Sequence, residues 1–163
     1  MIVSSRGAST RFELLRLRIR KLFFSLRSRP TRRALRLGVF PAVEHVEILR
    51  LGDFDFIVDV GANRGQFLMA SMYACPLATV LSFEPHSKAN MVLRKVASYY
   101  PDQTYCFQVA LSDESGTSTL FVAKDDDNSS ILMPSSIQVE FSRGSEVASE
   151  ELGLLLFEVT SKL

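Results

Sequence analysis

Phe56-Ile57-Val58-Asp59-Val60-Gly61-Ala62-Asn63-Arg64-Gly65-Gln66-Phe67 is the stretch that decides the fold. An apolar run ends on an acid, a Gly-x-x-x-Gly loop follows, and a helix is expected next. An α/β fold opens a nucleotide pocket in this way. The glycines let the backbone come close to a ligand, and amides at the following helix start take its polar end. The counterpart is Leu81-Ser82-Phe83-Glu84-Pro85, a second apolar run that also stops on an acid.

Working outward, the first strand is expected over about Phe54 to Val60, a helix from Gly65 to Ala74 stopped by Pro76, and a second strand from Ala78 to Phe83. Ser87 is placed to cap a helix with Ala89, Val92, Val96 and Tyr99 on one face, ended by Pro101. Tyr105 to Val109 reads as a third strand. Asp113-Glu114-Ser115-Gly116 reads as a turn, and Thr117 to Ala123 as a strand with alternating faces. Strands alternating with helices imply a parallel, doubly wound sheet. Upstream, Pro41 and Gly52 bracket a short helix carrying Val43, Val46 and Leu49. Residues 134–151 lack clear periodicity.

Glu84 lies 19 residues after Gly65, where an acid closing a second strand would hold two ribose hydroxyls. A nicotinamide dinucleotide site expects G-x-G-x-x-G. Here the loop is G-x-x-x-G with an acid directly upstream, which weighs against NAD. The pattern reads instead as a site for S-adenosylmethionine.

With 163 residues and 47% hydrophobic content, one globular domain with a sizeable core is expected. The net charge of +1 hides an asymmetry: residues 1–36 hold eleven Lys/Arg and one acid, Glu13, and the rest of the chain is correspondingly acidic. Cys75 and Cys106 lie far apart, as in a reducing compartment. No run approaches a membrane span and no secretory signal core is seen, so the expected location is cytoplasmic.

On a helical wheel Phe12, Leu15, Ile19, Leu22, Phe23 and Leu26 share one stripe, flanked by Arg16, Arg18, Arg20, Lys21 and Arg27. This basic amphipathic helix is expected to end near Ser28-Arg29-Pro30. The leading expectation is that the stripe packs on the domain or on a partner. Peripheral contact of residues 12–27 with an anionic membrane is the second expectation. An organellar targeting peptide fits the composition in a eukaryote. No nucleic-acid-binding motif accompanies the charge, so no nucleic-acid partner is expected.

The chain resembles the FkbM family of S-adenosylmethionine-dependent methyltransferases from about Gly38 to Glu151. The resemblance rests on four pieces in order: Val43-Glu44-His45 with Leu49-Arg50; Asp59 through Phe67; Ser82-Phe83-Glu84-Pro85; and Val109-Ala110-Leu111-Ser112-Asp113 with Gly116, followed by Ser129-Ser130. It implies a Rossmann-like class I methyltransferase fold and transfer of a methyl group to a small-molecule acceptor, a hydroxyl of a sugar or other metabolite. By resemblance, the backbone around Gly61, Ala62, Asn63 and Gly65 lines the methionine part of the cofactor. Asp59 orients this loop and meets the amino group, Glu84 holds the ribose hydroxyls, and Val109, Ala110 and Leu111 sit near the adenine. No residue is identified as a catalytic base.

Other polar residues read more plainly. His45 and His86 have no Cys or acid at ligand spacing, and Asp125-Asp126-Asp127 lacks the alternation of a calcium loop, so no metal is expected. The expected organisation is a basic helical segment over 1–37, a cofactor-binding half-domain over 38–151 and a divergent apolar tail over 152–163. The family's second half, with a Lys-x-Asp-x-Glu-Gly type motif, is not seen, so the fold is expected to be incomplete at its C-terminal half. A first strand left at a sheet edge invites self-association. The alternative functions are a non-catalytic cofactor-binding fragment and a membrane-surface or partner-binding module. Leu154–Val159 has the length and apolar side chains of a substitute strand beside Ile57–Val60.

Overall fold

The computed structural model describes residues 6–112, 115–122 and 148–156. Two helices, α1 (Arg6–Ser25) and α2 (Arg29–Arg36), lead through a 3-10 turn (Val43–His45) and α3 (Val46–Leu49) into the α/β unit. That unit is β1 (Phe56–Val60), α4 (Gln66–Ala74), β2 (Thr79–Phe83), α5 (Ser87–Ala97) and β3 (Thr104–Phe107). Its three strands pair in parallel in the order β1-β2-β3, with Asp59 opposite Ser82 and Ser82 opposite Cys106. Parallel neighbours need a crossover, and α4 and α5 supply it.

The core fills one face of this sheet. Ile57 and Val80 point into it and meet Leu68, Met69 and Met72 of α4, Leu93 and Val96 of α5, and Val43, Val46 and Leu49 from upstream. The bracketed helix before β1 therefore buries the residues expected of it. It breaks into a 3-10 turn and a single α-turn, and Ala42, not Pro41, stands before the turn. On the other face Phe56 is 68% exposed and Val60 61%, with Val58, Tyr105 and Phe107 also exposed. Parallel sheets ordinarily have both faces covered. Among the described residues the helices cover one face only, so the doubly wound arrangement is seen in half.

Three local expectations are corrected. Pro30 does not end the N-terminal helix; it lies in the first turn of α2, where a missing N–H costs nothing. Ser28 caps α2: its hydroxyl accepts from the Thr31 amide, and Thr31 Oγ1 accepts from the Ser28 amide. The residue before α5 is His86, with no side-chain cap bond, and Ser87 is the first helical residue. The third strand stops at Phe107, and after Gln108 the chain enters β4 (Val109–Ser112) in a second sheet.

That second sheet has the order β4-β6-β5, with β5 at Gly116–Val122 and β6 at Ala148–Leu156. Here β6 runs parallel to β4 and antiparallel to β5, with Leu154 opposite both Ala110 and Gly116. β6 thus finds its partners in β4 and β5, and among the described residues Leu154–Leu156 do not pair beside Ile57–Val60; residues 157–159 of that expected strand lie outside the described residues. The strand crosses the 151/152 boundary expected from sequence. Asp125-Asp126-Asp127 and Ser129-Ser130 lie outside the described residues.

Candidate functional site

The carboxyl ends of β1, β2 and β3 converge where a parallel sheet places its ligands. The Gly61–Gly65 loop turns there through three left-handed residues: Gly61 at φ 74°, Asn63 at 47° and Gly65 at 91°. A Cβ on Gly61 would meet no atom within 4 Å, so the backbone there is open to an approaching ligand. A Cβ on Gly65 would lie 3.2 Å from Leu93 Cδ1, so this glycine serves the packing of the loop on α5.

Every amide of the loop is already engaged. Gly61 and Ala62 donate to the Phe83 carbonyl at 2.9 and 3.0 Å, and Gly65 donates to Ala62 O at 2.9 Å. The Asn63 amide donates to Glu84 Oε2 at 2.7 Å, and that of Arg64 to Gln66 Oε1 at 3.2 Å. The sequence suggested amides turned toward a ligand; the end of β2 takes those of Gly61, Ala62 and Asn63 instead, and Gln66 and Ala62 take those of Arg64 and Gly65. A nest of free N–H groups, which phosphate binding needs, is not what Gly61–Gly65 presents.

Glu84 is the clasp of this arrangement. It is 7% exposed, and its second oxygen, Oε1, accepts from the His86 amide at 2.9 Å. Its own amide donates to Phe107 O at 3.0 Å, which joins the ends of β2 and β3. Each carboxylate oxygen keeps a further lone pair, so ribose hydroxyls remain chemically compatible with this acid.

Asp59 behaves differently. It is also 7% exposed, but its Oδ2 has no hydrogen-bond partner among the described residues. Burial, and secondarily the charge of Glu84, push its carboxyl from 3.8 up to about 6. A buried acceptor left unbonded is costly, and a cation or a donor beside it would remove that cost. Asp59 shares its face and row with Ser82, whose buried hydroxyl also lacks a partner among the described residues, and with Cys106, whose thiol burial pushes up.

Asn90 is a participant that sequence reasoning missed. It is buried on α5, and its Nδ2 donates to Glu84 O at 3.0 Å and to Phe107 O at 3.2 Å. Arg94 Nε fixes the amide by donating to Asn90 Oδ1 at 2.7 Å. The available signal was a polar side chain on the helix face that carries Leu93 and Ala97. Val109, Ala110 and Leu111 open β4, two residues beyond Phe107, with Ala110 buried and its neighbours half-buried. The structure therefore gathers Asp59, the glycine loop and Glu84 at one place, with β4 leading away from it into the second sheet.

No protein-family model matches the sequence, and no curated protein matches it. Among solved structures, the chain is similar to a crystal structure of the methyltransferase FkbM from Methylobacillus flagellatus KT, with 19% sequence identity and a TM-score of 0.36. The match covers 40% of this chain and 19% of that one.

Proposed function

We propose that the chain binds S-adenosylmethionine across the carboxyl ends of β1 and β2. Asp59 carries the proposal: a buried carboxyl with one unbonded oxygen, beside a loop whose amides are all spent on the protein. Such a site is rich in acceptors and in negative charge. It suits a ligand with ammonium and sulfonium groups and disfavours a pyrophosphate. Asp59 would take the amino group, the open backbone at Gly61 and its neighbours Ala62, Asn63 and Gly65 the methionine chain, and Glu84 the ribose hydroxyls. Val109, Ala110 and Leu111 would neighbour the adenine.

When bound, the cofactor supplies a methyl group made electrophilic by the sulfonium. The residues of this chain hold and orient it, and alignment provides much of the rate in such a transfer. The FkbM resemblance adds the acceptor class, a hydroxyl of a sugar or other small metabolite. A second reading, cofactor binding without turnover, draws on the sheet face of Phe56, Val58 and Val60, which is exposed and which no helix among the described residues covers. Titration calorimetry with S-adenosylmethionine and its demethylated product tests binding, and a methyl-transfer assay on hydroxylated metabolites then separates the two readings.

A further inference from the structure

Among the described residues the apolar stripe of α1 is turned away from the domain, so of the packing expected from sequence the part on the domain does not form. The helix is attached by its other side: Phe24 is buried against Tyr73 with ring centroids 4.3 Å apart, Leu17 packs on the core, and Lys21 pairs with Glu44 at 3.2 Å. Leu15, Ile19, Leu22, Phe23 and Leu26 fall together on the outward side and are 45 to 68% exposed. A contiguous apolar strip of this kind marks an interaction surface.

Charge identifies the occupant. Arg16, Arg18, Arg20 and Arg27 flank the strip and are all exposed. Ile19 and Phe23 line a groove of about 470 Å³ bordered by Arg20, Arg27 and Arg50, with Glu47, paired with Arg20 at 3.6 Å, as the acid among its lining residues. Arg27 donates to the Tyr73 hydroxyl at 2.8 Å and Arg50 lies over the same ring, so both guanidinium groups are held in place. No helix among the described residues is long and apolar enough to cross a membrane. Such a helix suits the plane of a bilayer surface rather than its thickness.

We propose that α1 docks the protein on an anionic lipid bilayer, with Leu15, Ile19, Leu22, Phe23 and Leu26 among the acyl chains and the flanking arginines on headgroup phosphates. Arginines beside an apolar strip satisfy both halves of such an interface, since the strip leaves water and the positive charge meets the negative surface. This docking is independent of the cofactor reading.

Vesicle co-sedimentation of the full chain tests it, using phosphatidylcholine alone and about 7:3 phosphatidylcholine:phosphatidylglycerol. Binding to the anionic vesicles should be tighter by about tenfold or more, and should weaken as salt rises. Replacing Ile19 and Phe23 together by Ser should reduce that binding by about tenfold or more while the melting temperature stays unchanged, because both side chains are exposed. Arg16→Gln with Arg18→Gln should flatten the salt dependence. The proposal is overturned by absence of binding, by equal binding to neutral vesicles, or by a folded Ser double variant that binds as the parent does. It is also overturned if the stripe drives a dimer or holds an oligonucleotide instead of vesicles.

Discussion

Replacing Asp59 by Asn removes a buried charge and keeps the shape, so it isolates what the carboxylate costs the folded protein. The carboxyl titrates at about 6 when folded, against 3.8 for an ordinary aspartate. The folded state therefore binds this proton more tightly than the unfolded chain does. The associated stability is fully present below pH 3.8 and is lost as the pH rises through about 6. At about 1.4 kcal/mol per pH unit, the displacement corresponds to about 3 kcal/mol at neutral pH. Asp59→Asn should thus match the parent near pH 4 and exceed its stability by up to about 3 kcal/mol at pH 7. Urea denaturation of both proteins across that range reads the difference directly. At the same time the variant should lose affinity for S-adenosylmethionine, because the acceptor for its amino group is gone. A constant stability difference at all pH values, or a variant less stable at pH 7, would refute the view of Asp59 as a buried carboxylate without a partner.

Glu84→Ala should lower stability by about 3 kcal/mol in urea denaturation, since it strands the amides of Asn63 and His86, and each buried donor costs about 1–3 kcal/mol. Glu84→Gln removes the charge beside Asp59, so NMR titration should find Asp59 lowered but still above 3.8, because burial is the larger cause. Gly65→Ala should cost more stability than Gly61→Ala in thermal melts: both place a side chain at positive φ, at about 1–2 kcal/mol, and only Gly65 also crowds Leu93. Gly61→Val should harm cofactor affinity more than Gly116→Val, which meets open space outside the loop.

The strand, loop and helix around Asp59 were legible because that information is local: an apolar run, an acid, two glycines and a resumed apolar pattern within twelve residues. Helix α2 was missed because Pro30 signals a stop and a start equally well, and only the Ser28–Thr31 capping box decides between them. The start of β6 and its pairing were missed because its partners, Val109–Ser112 and Gly116–Val122, are distant in sequence and Glu150-Glu151 interrupts its apolar run. The α1 stripe was plain on a helical wheel, but amphipathicity says which residues share a side, not what that side faces. At the site, spacing located Glu84 without showing that its oxygens hold the Asn63 and His86 amides. Side-chain bonds to backbone depend on where the loop folds back, and no spacing rule encodes that.

The most direct test of the central claim is calorimetric titration of the folded protein with S-adenosylmethionine beside NAD, repeated with Asp59→Asn. The account predicts saturable binding of S-adenosylmethionine, none of NAD, and a marked loss of affinity in the variant. Binding of NAD in place of S-adenosylmethionine, binding of neither, or an affinity that Asp59→Asn leaves unchanged would contradict it.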